Sequence, residues 1–339
     1  MPDNELIVAG GDSNLAYSLE PAVVTPDYFV THYPEFLRRY IAKGSPSQDT
    51  MKSYCVRIDL FIRWCIANKC HPLSMGDYQM HIYRDFLIQN GYASDTIQNK
   101  LTAVKAFYHT ALKLDLIKAN PCEDIDAPFT DVANRALQAY TPEQMKKICD
   151  VFLNEKDSFL KWRNTSILYL MGVEGLRNVE VHRCCREDID WGNSIINVRG
   201  KGSKGRMDPI FPCAETMEVL RNYVDSIDPS VEIKKDGILT PFILSDSNRN
   251  EFGRISRNGI RYVMNKALKA ADLKRPGYAC HIFRHSCGTN LYAQTKDLRL
   301  VQDTLRHRDP KVTARYAHLT ERMERRSTSG IARSMLGNA

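Results

Sequence analysis

The sequence predicts a mainly α-helical protein with a small antiparallel three-stranded sheet, divided into two domains. Three observations support this fold class. Apolar residues recur at helical spacing over most of the 339 residues. Three short β-type segments, separated by glycine-containing turns, lie together past the middle of the chain. A polar, Pro-containing connector divides the sequence, whose length suits two domains of roughly 150 residues each.

The predicted boundaries follow from changes in periodicity and in turn residues. They are a flexible N-terminal arm at 1–25, a helical domain at 26–122, a linker at 123–135, a second domain at 136–320 and a C-terminal tail at 321–339. Asn120-Pro121 ends the last helix of the first domain, because the residue before a proline disfavours helical geometry. Thr141-Pro142-Glu143-Gln144 has an N-cap, a proline at the first helical position and a capping-box Gln, so a helix begins there.

In the first domain, apolar and aromatic stripes predict packed helices. Ser47 or Asp49 can cap one helix, and residues 80–89 predict another. A third helix begins near Ser94 and carries on one face Ile97, Leu101, Val104, Phe107, Tyr108 and Leu112. We interpret these stripes as core rather than as a ligand surface.

The second domain is predicted to contain the sheet between two groups of helices. The apolar segment 166–175 predicts a helix that ends at Gly175, and 178–183 predicts a short one. The predicted strands are 188–191, 194–199 and 207–211, with turns at Gly192-Asn193 and at 200–205. Helices are predicted after the sheet at 215–226, 255–271, 282–293 and 298–305, and Asp309-Pro310 begins one that carries Tyr316.

Composition indicates a globular protein with a modest basic excess. Hydrophobic residues make up 43% and charged residues 26%, and 47 Lys and Arg against 40 Asp and Glu give a net charge of +7. This excess suits a polyanionic partner but is weak evidence for one. No run approaches the ~18 apolar residues of a membrane span. Residues 1–20 lack a basic segment before an apolar stretch, so we expect no signal peptide.

The ten cysteines are scattered, which indicates reduced thiols of a cytoplasmic protein rather than a disulfide scaffold. Zinc binding is the alternative, with Cys280, His281, His285 and Cys287 as candidate ligands. Their order lacks the paired C-x-x-C and H-x₃₋₅-H spacing of structural zinc modules. We therefore expect neither a metal nor another cofactor.

Near the C-terminus, charged and aromatic residues recur at intervals that packing does not explain. His281 and Arg284 are three residues apart, so one helix face carries both. His307 precedes the predicted Asp-Pro break, and Tyr316 lies in the following helix. Guanidinium groups match the charge that develops when a hydroxyl attacks a phosphodiester. Histidine and lysine can serve the proton transfers, so the set predicts metal-free phosphoryl transfer with Tyr316 as nucleophile.

Two cations upstream complete this set. Arg177 follows Gly175, and Glu180 is placed to hold its guanidinium group. Lys201 lies in the glycine-rich turn 200–205, where glycine lets the backbone come close to a ligand. A lysine in such a turn can reach a scissile phosphate or its leaving group.

These motifs together resemble those of the tyrosine recombinase (phage integrase) family, and its Xer-like members in particular. The segments that carry the resemblance are Gly175-Leu176-Arg177-Asn178-Val179-Glu180, Gly200-Lys201-Gly202-Ser203-Lys204, His281-Ile282-Phe283-Arg284-His285-Ser286, Leu305-Arg306-His307 and Thr313-Ala314-Arg315-Tyr316-Ala317-His318. The intervals match as well: 24 residues from Arg177 to Lys201, 3 from His281 to Arg284, 23 from Arg284 to His307 and 9 from His307 to Tyr316. The resemblance covers residues 136–320, and the first domain is similar to the family's core-binding domain in size and pattern.

One residue departs from the family's pattern. Arg306 stands where glycine usually precedes the histidine. The change bears on the local backbone geometry, and it could add a phosphate contact.

The resemblance implies a fold, a reaction and a set of roles. The fold is an N-terminal helical core-binding domain followed by a C-terminal tyrosine-recombinase catalytic domain. The reaction is attack on a scissile phosphate, which gives a 3′-phosphotyrosyl intermediate and a free 5′ hydroxyl without ATP or a metal. The implied roles are nucleophile for Tyr316, transition-state stabilisation for Arg177, Arg284 and His307, general acid for Lys201 and proton transfer for His281.

The implied partner is double-stranded DNA with specific sites, bound by a homo-oligomer that is a tetramer in the synaptic complex. Basic residues of the turn, of a later loop and of the first-domain helices are the candidate DNA contacts: Lys204, Arg206, Arg254, Arg57, Lys100 and Lys105. The tail at 321–339 either exchanges between subunits or folds back, and the sequence favours neither. A directionality factor is a further candidate partner. The expected location is cytoplasmic, associated with the nucleoid, with no membrane partner.

The predicted function is site-specific DNA recombination, in integration, excision or inversion. Two alternatives stay open. A type IB topoisomerase-like enzyme would nick and reseal DNA as a monomer with related chemistry. A catalytically idle accessory protein would bind DNA on the same fold without using Tyr316.

Overall fold

The computed structural model describes residues 24–128, 139–200, 207–275, 278 and 280–306. These ranges fall into two units that divide after residue 132. The predicted N-terminal arm up to residue 23 and the predicted C-terminal tail lie outside the described residues. So do five candidate site residues, namely Lys201, Lys204, Arg206, His307 and Tyr316.

In the described part of the N-terminal unit, the elements of secondary structure are helices joined by turns and loops. Its helices are α1 (Pro26–Tyr40), α2 (Gln48–Ala67), α3 (Asp77–Gln89) and α4 (Ser94–Lys113), with 3₁₀ turns at Ala42–Gly44 and Pro72–Ser74. Ser47, rather than Asp49, caps α2, because its hydroxyl accepts a hydrogen bond from the Thr50 amide at 3.2 Å.

Aromatic side chains form the centre of this unit's core. The rings of Phe61 and Tyr83 meet at 5.0 Å, as do those of Phe29 and Phe107. Tyr108 is fully buried, and its hydroxyl donates to the Pro72 carbonyl at 2.7 Å. The helical stripes predicted from the sequence therefore form core.

The C-terminal unit surrounds a small sheet with helices. Its helices are α5 (Pro142–Leu153), α6 (Ser158–Gly172), α7 (Asn178–Arg183), α8 (Ala214–Asp225), α9 (Arg257–Ala270), α10 (His281–Thr295) and α11 (Leu298–Leu305). The strands are β1 (Ile189–Asp190), β2 (Ile195–Arg199) and β3 (Met207–Ile210), in the order β1-β2-β3. Both pairings are antiparallel, with Ile196 opposite Ile189 and Ile210. The predicted fold class, mainly α with a three-stranded antiparallel sheet, is confirmed.

Helix α6 lies at the centre of this unit, in contact with α5, α7, α8, α9 and α10. It begins at Ser158 and ends at Gly172, so the prediction of 166–175 was wrong at both ends. The apolar pattern did not predict the first half of α6, because this half contains polar residues that are buried, Arg163 among them. Arg163 is 1% exposed and forms an ion pair of 2.9 Å with Asp246.

An ion pair beside the sheet holds the strand that precedes the glycine-rich segment 200–205. The Arg199 side chain, at the end of β2, pairs with the buried Asp188 carboxylate at 2.8 Å. Asp188 also accepts a hydrogen bond from the Cys185 amide at 2.9 Å. This carboxylate therefore fixes the chain immediately before residue 200.

All ten cysteines lie among the described residues as free thiols. Cys70 in the N-terminal unit and Cys213 in the C-terminal unit are exposed, and the others are buried or half-buried. In the described part of the chain, no helix combines the length and apolar character needed to cross a membrane.

Candidate active site

Arg177 is held at the start of α7 by a buried carboxylate. It is the N-cap residue of this helix, and its amide donates to Glu180 Oε2 at 2.8 Å. Its guanidinium Nη1 donates to Glu180 Oε1 at 2.7 Å. The Glu180 side chain is 1% exposed and that of Arg177 is 32% exposed, so the arginine is anchored on one side and open to a ligand on the other. The predicted Arg177–Glu180 pair is confirmed.

Arg284 joins α10 to two other segments. Its side chain is buried, with Nη1 donating to the Gly175 carbonyl and Nη2 to the Leu305 carbonyl. These two partners are uncharged carbonyl oxygens, so they satisfy the N–H groups without neutralising the guanidinium. A positive charge is what a phosphate site needs. The contacts also bring the chain before Arg177 and the chain before Arg306 to the same side chain.

Gly175 makes this convergence possible. Its φ is +66°, and a Cβ there would lie 2.5 Å from Leu305 Cδ2 and 3.3 Å from Cys287 Sγ. Glycine is therefore needed both for the backbone conformation and for the close approach of the segment that carries Leu305.

His281 is the first residue of α10, on the helix that also carries Arg284. The residue is exposed, yet the pKa of its imidazole lies below the ordinary value. Partial desolvation of the ring is the main cause, and the positive charges of Arg284, Arg261 and Arg177 add to it. The lowered pKa favours the neutral form of the ring, which can accept a proton.

Arg306 does not take the free, outward position that a phosphate contact requires. Its backbone is left-handed, with φ 52° and ψ 49°, at the C-cap of α11. Its Nη2 lies 2.7 Å from Glu180 Oε2, and the side chain is 12% exposed. Glycine would adopt this conformation without strain.

The structure thus brings Arg177, Arg284 and His281 into one neighbourhood. Lys201, His307 and Tyr316 lie outside the described residues, so their contribution stays a prediction. Their described neighbours in sequence, Arg199 and Arg306, are both held by buried carboxylates.

Arg261 is a site neighbour that the sequence did not single out. It lies exposed on α9, and its charge helps to lower the pKa of His281. Its spacing of four residues from Arg257 places both on one polar helix face, and this was the available signal.

Among the candidate DNA contacts whose side chains are described, two already have partners within the protein. Arg254 is 14% exposed and engaged internally, with Asp236 and with the carbonyls of His182 and Cys184, so its geometry indicates a structural role. Lys105 donates to the Glu123 carbonyl at 3.0 Å and lies 3.5 Å from Asp126.

Arg57 and Lys100 are arranged differently. Burial lowers the pKa of Lys100, and the nearby positive charge of Arg57 lowers it further. The Lys100 ammonium also lies 4.4 Å from the centre of the Tyr92 ring. The positive charges of Arg57 on α2 and Lys100 on α4 therefore repel each other.

The cysteine and histidine residues considered for zinc all lie on or next to α10. Among the described residues, no group of three or more His, Cys, Asp or Glu side chains is arranged to hold a metal ion. Cys287 instead donates its thiol to the Val173 carbonyl at 3.0 Å.

Comparison with known proteins identifies the family. Residues 138–323 match the model of the phage integrase family, and residues 35–118 match that of the phage integrase N-terminal SAM-like domain. Tyrosine recombinase XerC of Pediococcus pentosaceus is 27% identical over 279 residues, which cover 81% of this chain and 89% of the relative. Tyrosine recombinase XerC of Halalkalibacterium halodurans is 28% identical over 254 residues, with coverages of 70% and 76%.

A solved structure shares the fold. It is the post-cleavage complex of the XerH site-specific recombinase bound to palindromic difH substrate, with a TM-score of 0.67 and 18% identity over 82% of this chain and 79% of that one. The resemblance stated from the motifs is therefore confirmed. The phage integrase family model matches more than half of this chain, so the chain belongs to the phage integrase family.

Proposed function

We propose that this chain is a site-specific DNA recombinase that cuts and rejoins strands through a 3′-phosphotyrosyl intermediate on Tyr316. The observation that carries the proposal is the meeting of α7, α10 and the end of α11, where two arginines and a neutral histidine share one neighbourhood. Relatives named as tyrosine recombinases that match over most of the chain support it.

In the proposed cleavage step, the Tyr316 oxygen attacks the scissile phosphorus and the bond to the 5′ oxygen breaks. The phenolic proton passes to a base, for which the neutral His281 imidazole is the described candidate. Lys201 donates a proton to the departing 5′ oxygen. In the reverse step a 5′ hydroxyl of the second duplex attacks the phosphotyrosyl ester, which restores the tyrosine. The ester retains the energy of the broken bond, so no ATP is consumed.

The arginines act on the charge that develops on the non-bridging oxygens. Arg177 presents its open side to solvent while Glu180 holds the other side. Arg284 is fixed by two carbonyls and cannot turn away. Groups that are already in place need no reorganisation during the reaction, and this accounts for most of the effect of such donors. His307 is proposed as a third donor to the same oxygens.

DNA is the proposed partner, with Arg57 and Lys100 as the described phosphate contacts of the N-terminal unit and Lys204 and Arg206 as contacts from the turn. We assign Arg254 and Lys105 lesser roles because internal partners occupy them. Four copies on two DNA sites, assisted by a directionality factor, make up the proposed synaptic assembly. The free thiols support action in a reducing compartment such as the nucleoid-containing cytoplasm.

The test is to trap the covalent intermediate on DNA. The purified chain is incubated with a pool of duplexes of random sequence, each nicked so that the short fragment that carries the released 5′ hydroxyl diffuses away after cleavage. We expect SDS-resistant protein–DNA adducts, with DNA attached to the peptide that contains Tyr316. Sequencing of the recovered DNA gives the target site.

Tyr316→Phe is the decisive variant, and Tyr262→Phe is its matched control, since Tyr262 is a 71% exposed tyrosine on α9. We expect Tyr316→Phe to bind the recovered duplex and form no adduct, and Tyr262→Phe to form it normally. Adducts that persist in Tyr316→Phe would disprove the nucleophile. Strand exchange between two recovered sites, rather than relaxation of supercoils alone, separates a recombinase from a topoisomerase-like enzyme. No adduct from the parent chain would favour an accessory protein.

A further inference from the structure

One buried carboxylate is shared by two arginines from distant parts of the chain. Glu180 accepts from Arg177 through Oε1 and from Arg306 through Oε2, both at 2.7 Å. Arg306 lies 126 residues after Glu180 in sequence and adjoins His307. The carboxylate therefore connects the segment of one candidate catalytic arginine to the residue that precedes a candidate catalytic histidine.

We propose that Arg306 is a positioning residue for DNA cleavage, which acts through Glu180 to set the position of Arg177 and the net charge of the group around it. The proposal rests on the proposed function, since it concerns the same site. It assigns a role to the residue at which this chain departs from its family.

The arrangement of charges supports this role. A lone Arg177–Glu180 pair would carry no net charge, because the buried carboxylate cancels the arginine. With Arg306 on the second oxygen, the three groups carry a net positive charge beside the open face of Arg177. In a poorly hydrated site, this charge acts strongly on a phosphate.

The backbone supports it as well. Arg306 holds φ 52° at the end of α11, a conformation that glycine adopts freely and arginine adopts at a cost. This unfavourable backbone conformation occurs together with a side chain that reaches Glu180. Arg284, which donates to the Leu305 carbonyl, also holds the backbone of the residue that precedes Arg306.

The charge state of Glu180 depends on Arg306. Burial would raise the pKa of this carboxyl, but the positive charge of Arg306, followed by the hydrogen bond and charge of Arg177, lowers it below the ordinary value. Arg177 from its own segment and Arg306 from the end of α11 both act on it. Helix α9, which packs on α7, carries two further cations near the site. The charge of Arg257 lowers the pKa of His182, and that of Arg261 lowers the pKa of His281.

Arg306→Gly is the test variant, because glycine keeps the left-handed backbone and removes only the side chain. On the duplex recovered with the parent chain, we expect single-turnover cleavage to slow on the order of 10- to 100-fold, since misplacement of a reacting group by 1 Å costs up to ~10²-fold. The dissociation constant for that duplex should stay within about twofold, because the Arg306 side chain is only 12% exposed.

Lys296→Gly is the matched control. Lys296 is an exposed cation that caps α10 in the same left-handed conformation, at φ 56°, and it lies over the Tyr292 ring rather than near Glu180. We expect this variant to cleave at the parent rate. Arg306→Lys, which keeps the charge but not the planar fork, should recover part of the lost rate and covers the case in which the glycine variant folds poorly.

A pH profile separates positioning from a merely structural role. In Arg306→Gly the Glu180 carboxyl remains buried without its main cationic neighbour, so its pKa rises and it protonates at a higher pH than in the parent. Protonation releases Arg177. Between about pH 8 and pH 5, the range of histidine-linked activity, cleavage by the variant should therefore fall earlier on acidification than cleavage by the parent.

The Glu180→Gln background completes the test. If Arg306 acts through Glu180, adding Arg306→Gly to Glu180→Gln should change cleavage by less than about twofold, as expected for coupled residues. The proposal would be overturned if Arg306→Gly cleaved at the parent rate or if Lys296→Gly lost as much activity. It would also be overturned if Arg306→Gly slowed cleavage by as much in the Glu180→Gln background as in the parent. Absence of any adduct from the parent chain would instead overturn the proposed function.

Discussion

Glu180 shows how burial changes the meaning of a sequence pattern. An arginine and a glutamate three residues apart on an exposed helix contribute only ~0.2–0.5 kcal/mol. Here the carboxylate is 1% exposed, and removal of a partner from a buried pair costs about 3–5 kcal/mol. The sequence predicted the pair from its spacing. It could not predict Arg306 as the third member, because nothing in a local pattern brings residues 126 positions apart together.

At the residue scale, we predict that Arg284→Lys slows DNA cleavage by about 10²- to 10³-fold, the cost of losing one preorganised donor to a developing charge. Lysine keeps the charge, but it cannot donate to the carbonyls of Gly175 and Leu305 and to a phosphate in the arginine's planar geometry. Single-turnover cleavage of the recovered duplex measures the effect.

Arg299→Lys is the control for this prediction. Arg299 lies on α11 with its side chain 82% exposed, and it pairs with Asp303 at 3.2 Å. This variant should cleave like the parent. A near-parental rate for Arg284→Lys would remove Arg284 from the catalytic set.

At the scale of elements, local signals located helix starts well where side chains cap the backbone. Thr141 and Gln144 form the predicted capping box, with the Gln144 amide 3.3 Å from Thr141 Oγ1 and the Thr141 amide 3.0 Å from Gln144 Oε1. Helix α6 was harder to predict, because buried polar residues interrupt its apolar pattern, and one of them, Arg163, has tertiary partners that the sequence does not show.

The pair formed by α2 and α4 gives a prediction for DNA binding. Lys100→Ala should weaken binding to any duplex and reduce the slope of log affinity against log salt by about one, since one phosphate contact is lost. Electrophoretic mobility shifts over a series of salt concentrations give both quantities.

Lys105→Ala is the matched comparison on the same helix. Its ammonium is held by the Glu123 carbonyl and Asp126, so it has less to offer a phosphate and the slope should change less. Equal slopes for the parent and the Lys100 variant would contradict the assignment of Lys100.

At the scale of the whole molecule, the sequence was sufficient for the fold class and for the family. Helical periodicity and the three β segments agree with the structure, and the family inferred from the motifs agrees with the family model that the chain matches. The sequence could not predict that Gly175 lies close to Leu305, because this contact depends on how α10 and α11 pack against the chain before α7.

The stability of the folded chain should decrease when the pH falls below about 6.5, the ordinary histidine value. Burial lowers the pKa of His182, whose Nδ1 lies 2.7 Å from the Ile255 carbonyl, and desolvation also lowers that of His281. Below this pH, the histidines of the unfolded chain bind protons that those of the folded chain do not, so acid favours unfolding. Above the ordinary histidine pKa, both states are neutral and the loss of stability is absent.

Thermal melting of the parent and of His182→Gln between about pH 7.5 and 5.5 checks this linkage. The variant should lose less melting temperature on acidification than the parent. Identical pH dependence in both would show that His182 is not part of the effect.

The distribution of thiols has a practical consequence. Cys70 and Cys213 are the exposed cysteines, and one belongs to each unit. Maleimide dyes therefore have one accessible sulphur on either side of the interdomain connector, without any engineered substitution. Energy transfer between a donor and an acceptor at these positions can test whether the distance between the two units changes when a duplex binds.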